Sequence, residues 1–134
     1  MIAGLILGIS FLTLLQFFAS YCHSVIAEYR GHELSVCARE ISGITSKLAH
    51  GDQYKRLLQL LALCPEPGGD LNQVRLVSAY YSLLSAARVA LTWAVPSVAQ
   101  QIGSERGGCA YVAAVVLDRR IAYNRMLMAQ QAGQ

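Results

Sequence analysis

Residues 4–23 read GLILGISFLTLLQFFASYCH, and the fold turns on whether this stretch is a removable signal, a core helix of a soluble domain, or a helix that stays in a membrane. From Met1 to Ala27 there is no Asp, Glu, Lys or Arg; all eight acids and eleven bases lie from Glu28 onward. The 26 residues from Ile2 to Ala27 make about 39 Å of helix, against a hydrocarbon thickness of about 30 Å. A surface helix of a soluble domain meets water along one stripe and carries charge there, which this stretch does not. A cleaved signal opens on a basic region and ends at a small-x-small site, yet no Lys or Arg precedes the apolar run. The lipoprotein pattern sets a small residue before its modified cysteine, and here Tyr21 precedes Cys22. The expectation is a retained transmembrane helix over residues 1–29 and a helical domain over residues 30–134.

At 100° per residue, Gly4, Gly8, Leu12, Leu15, Gln16, Ala19, Cys22 and His23 share about one third of the helix circumference. Ile6, Leu7, Leu14, Phe17, Tyr21 and Val25 lie on the bulky remainder. Gly4-x-x-x-Gly8 admits a close backbone, and Gln16 at mid-depth can hydrogen-bond across such a contact. A partner helix is therefore expected on Gly4, Gly8, Leu12, Gln16, Ala19 and His23, although GxxxG also arises by chance in membrane helices. Arg30 and Arg39 follow the span, so the positive-inside tendency puts the remainder in the cytoplasm.

Beyond the span, Leu34, Cys37, Ile41, Ile44 and Leu48 alternate steps of three and four, which predicts an amphipathic helix over 32–49 that Gly31 separates only weakly from the first. Gly51 and Asp52 suit a C-cap and an N-cap, and QYKRLLQLLALC then forms a helix that stops at Pro65. The loop over residues 64–72, CPEPGGDLN, is the clearest break. Asp70 or Asn72 can cap the next helix, which runs towards Pro96. Its Ser78, Ser82, Ala86 and Ala90 form a narrow stripe against which a second helix should pack. That partner is predicted to start at Ser104 and Glu105 and to offer Gly107, Ala110 and Ala114. No strand alternation occurs, so the fold class is all-α: one membrane helix and a small bundle of about four helices.

Between Leu76 and Ile102 the only charge is Arg88. A second membrane segment would carry that arginine at a cost of roughly 2.5–3.5 kcal/mol, so a buried soluble helix with Arg88 paired to Asp118 or Glu105 is the expectation.

Chemistry is sparsely encoded. The net charge of +3 is spread without a Lys/Arg run, which suggests no nucleic-acid surface. Cys22, Cys37, Cys64 and Cys109 lack CxxC or zinc spacing and read as separate packed thiols. GSERGG at 103–108 lacks the Lys-Ser/Thr ending and preceding strand of a phosphate loop and reads as a loop and helix start. Tyr80, Tyr81, Tyr111 and Tyr123 read as packing residues, or as the lining of a groove for a helix or lipid tail. His23 alone raises a pigment- or haem-binding reading. No catalytic, metal or cofactor constellation is legible, so the chain reads as a non-enzymatic accessory or scaffold subunit of a membrane complex. Its partners would be membrane lipid, other membrane subunits, or copies of itself in a homo-oligomer or filament. The last plan is that of pilin-like subunits, but the early acidic residue and processing site of that pattern are missing.

Overall fold

Eleven consecutive residues, Gly107 to Leu117, are buried on every side of one helix. A helix apolar around its whole circumference can be stable only with neighbours on all faces, and the rest of the chain supplies them. The computed structural model describes residues 1–43, 53–64, 68–92 and 95–133. Its elements are α1 (Ile2–Arg30), α2 (Val36–Ser42), α3 (Gln53–Leu63), α4 (Asp70–Leu91) and α5 (Pro96–Ala132). No strand occurs among the described residues, and the all-α class with a four-helix bundle after the apolar helix is as the sequence predicts.

α5 is the axis. α4 packs on it most extensively, followed by α3, α1 and α2. The pairs His23–Glu105, Tyr111–His32, Ser35–Asp118 and Cys37–Arg125 advance together along the two segments, so the chain from α1 into α2 runs parallel to α5. α4 runs antiparallel to α1: the Phe18 ring meets Tyr80 edge-on at 6.1 Å, while the Tyr29 hydroxyl donates to Gln73 Oε1 at 2.6 Å.

The close fit of α1 on α5 depends on Gly108. A Cβ there would lie 2.7 Å from Ile26 Cγ2 and 3.1 Å from an Arg30 guanidinium nitrogen. The apolar surface of α1 enters the core through Cys22, Ile26 and Tyr29, spaced four and three apart on one stripe. α3 is tethered by Arg120, only 6% exposed. Its Nη1 donates to the carbonyls of Leu61 at 2.9 Å and Cys64 at 3.3 Å, a cation at the negative end of a helix dipole.

Several boundaries differ from the sequence expectation. α1 ends at Arg30, with Gly31 closing its last turn onto Glu28, so it does not run on into the next helix. α2 is short: Ser35 caps its start by accepting from the Ala38 N–H, and Gly43 ends it at φ 67°, where a side chain is strained. The expected helix over 32–49 is therefore cut at both ends within its described part; Ile44, Leu48, Gly51 and Asp52 lie outside the described residues. α4 begins at Asp70 behind left-handed Gly68 and Gly69. α5 begins at Pro96, not at Ser104: proline fixes the first helical residue at φ near −65° and loses no bond there. GSERGG is consequently helix interior rather than loop, and Ser104 back-bonds to the Gln101 carbonyl instead of capping.

Candidate functional site

α1 has two halves with different surroundings. From Ile2 to Phe17 every residue is exposed except half-buried Leu15, including Leu7 at 73% and Phe17 at 76%. From Phe18 onward the helix becomes part of the core, with Cys22 fully buried. α1 is the one helix among the described residues that is long and apolar enough to cross a membrane, and the qualifying 18-residue window is 0% buried. A soluble core helix with this composition would be mostly covered. Thr13 does not interrupt the apolar surface, because its hydroxyl donates back to the Ile9 carbonyl.

Of the residues predicted to form an interaction face, Gly4, Gly8, Leu12 and Gln16 lie on the exposed half, and nothing stands within 4 Å of a Cβ built on Gly4 or Gly8. Among the described residues no helix is seated on them. Ala19 is half-buried against the bundle. His23 turns to α5, where its Nδ1 lies 3.2 Å from a carboxylate oxygen of Glu105. That partnership spans 82 positions and has no local signal in the sequence.

The helix-packing prediction divides in two. Gly107, Ala110 and Ala114 are buried in the centre of α5, together with every other residue from Gly107 to Leu117. On α4 the stripe is misplaced: Ser82, Ala86 and Ala90 are exposed and Ser78 is half-buried. The face that meets α5 and α3 is Val77, Tyr81 and Leu84, with Tyr80 turned to α1. Volume and aromatic area outweigh a narrow small-residue seam in a water-exposed bundle. Arg88 is exposed rather than paired. Asp118 accepts from the Ser35 amide at 3.0 Å and its hydroxyl at 2.6 Å, and Glu105 faces His23.

The tyrosines are chiefly structural. Tyr81 stacks on Tyr54 with centroids 4.0 Å apart and lies beneath the Arg106 guanidinium, which donates to its hydroxyl at 2.7 Å. Tyr111 donates to the His32 carbonyl, and Tyr123 is exposed. Burial pushes the hydroxyls of Tyr54 and Tyr80 up to about 12. Among the four free cysteines Cys22 and Cys109 are buried and Cys37 and Cys64 half-buried; burial pushes the Cys109 thiol up to about 12, with the nearby Glu105 carboxylate adding to it.

Where α1 leaves the bundle, an open groove of about 520 Å³ forms beside it, lined by Gln16, Ser20 and His23 of α1, by Gln101, Ser104 and Glu105 of α5, and by Tyr80 of α4. Among the described residues no group of three His, Cys, Asp or Glu side chains is arranged to hold a metal ion. Compared with known proteins, the chain matches no family model, no curated protein and no solved structure.

Proposed function

We propose that the chain is a non-catalytic, membrane-anchored helical subunit that docks onto other subunits of a membrane complex. The observation that carries this reading is the division of α1. Its first sixteen residues or so are uncharged and uncovered, while Cys22, Ile26 and Tyr29 of the same continuous helix are core residues. Leaving that apolar surface in water is unfavourable at roughly 25 cal/mol per Å², so lipid or protein must cover it. Because anchor and domain are one helix, the bundle is held rigidly at the membrane surface rather than on a flexible tether. The open Gly4/Gly8 edge, flanked by Leu12 and Gln16, is the place for a close helix partner within the bilayer. On this reading the bundle lies on the cytoplasmic side, where Arg30 and Arg39 follow the span.

Self-assembly is the competing use of the same edge. Native mass spectrometry of the chain gently extracted from its own membranes separates the two. Additional protein masses that disappear with Gly8→Leu support the accessory-subunit reading. A mass equal to whole multiples of the 14.5 kDa chain, dissociated by Gly8→Leu, replaces it with the homo-oligomer. An unassociated monomer removes both.

A further inference from the structure

We infer that the tip of the α4–α5 hairpin, at Val89, Val95 and Val98, enters the bilayer leaflet nearer the bundle beside α1, as a second, re-entrant lipid contact. The inference rests on the reading of α1 as a membrane anchor and deepens it. Register supplies the first argument. His23 faces Glu105 on the parallel α5, so Pro96, nine residues earlier in α5, lies about 13 Å further along, by the helical rise. That is level with the exposed apolar turns of α1. Antiparallel α4 has Tyr80 against Phe18 and continues to Leu91, about 16 Å in the same direction. The hairpin tip and the uncovered half of α1 therefore project from one end of the bundle.

Surface chemistry supplies the second. Val89 is 73% exposed, and Leu83, Val95 and Val98 are also exposed, while the only charge between Leu76 and Ile102 is Arg88. Arginine at such a depth extends its aliphatic stem and carries the guanidinium towards the headgroup phosphates.

The third argument is polar satisfaction among the described residues on either side of the apex, since backbone entering lipid must bond internally. At the turn, the Thr92 and Val95 amides donate to the Arg88 and Leu91 carbonyls, each at 2.9 Å, and the Ala99 amide donates to the Val95 carbonyl at 3.3 Å. The hydroxyls of Ser82, Ser85 and Thr92 each donate to the carbonyl four residues earlier, as hydroxyls do in membrane helices.

Trp93, the only tryptophan of the chain, lies in the sequence beside these residues and reports on them without mutation. The full chain is reconstituted into phosphatidylcholine vesicles, floated, and its emission measured with brominated acyl chains and with aqueous iodide. Expected are flotation, a blue-shifted emission, a loss of intensity in brominated lipid and none with iodide. Flotation with iodide quenching, or with neither quencher effective, overturns the re-entrant tip and leaves the α1 anchor intact. Failure to float in plain vesicles removes the anchor and the tip together.

Discussion

Gly108 and Gly103 lie in the same helix and respond to a methyl group with opposite signs. At Gly108 the new Cβ meets Ile26 Cγ2 at 2.7 Å, and Ile26 is itself in the core, so one of the two helices must shift; overpacking of this kind costs about 1–3 kcal/mol. At Gly103 a Cβ meets nothing within 4 Å, and replacing a mid-helix glycine stabilises by about 0.5–1 kcal/mol. Gly108→Ala is therefore expected to lower the midpoint of thermal unfolding and Gly103→Ala to raise it; the same sign for both defeats this account of the α1–α5 contact. Cys109 supplies a pH dependence. Its thiol is raised from 9.0 in the unfolded chain to about 12 in the folded one, so between those values the unfolded state has already lost the proton that the folded state keeps. Stability is then full below pH 9 and declines as pH rises towards 12. Thermal unfolding followed across that range should show the decline, and Cys109→Ala should flatten part of it. Tyr54 and Tyr80, raised to about 12 from 10.0 by burial, act in the same direction.

At the scale of elements, the C-terminal end of α3 is tied to α5 by a buried cation, in addition to the packing of Tyr54, Leu57 and Leu61. Arg120 reaches the carbonyls of Leu61 and Cys64, groups that the end of α3 leaves without intrahelical partners. Arg120→Met keeps the volume and removes the donors, and leaving such carbonyls unsatisfied costs about 1–3 kcal/mol. Hydrogen exchange should accelerate in α3 before α4; a uniform change across the bundle would show that Arg120 acts through packing alone. The two halves of α1 make a second prediction. Deleting residues 1–14 takes away only exposed side chains, so the remaining chain is expected to fold, to unfold cooperatively and to stay in the aqueous phase. Deleting residues 1–30 removes Cys22, Ile26 and Tyr29 from the core and should abolish cooperative unfolding. If the longer deletion folded as well as the shorter, α1 would be an appendage rather than part of the bundle.

The whole molecule is a bundle with one greasy end, and the sequence already contained half of that description. The charge-free run before Glu28, the proline and glycine break over 64–72 and the helical spacing between them are properties of consecutive residues, so the all-α class and the apolar first helix were legible without coordinates. Boundaries were less legible, because Ser104 and Glu105 have the composition of a cap whether or not a helix starts there. Pro96 ends one helix as readily as it begins the next, and only the packing of α5 at Ile102 and from Gly107 to Leu117 decides between them. Which face of α4 is buried, which acid meets His23, and where α1 passes from lipid-like exposure into the core depend on residues tens of positions away. The physical reason is that spacing records what an element can present, while burial is assigned by the neighbours that the tertiary structure brings to it.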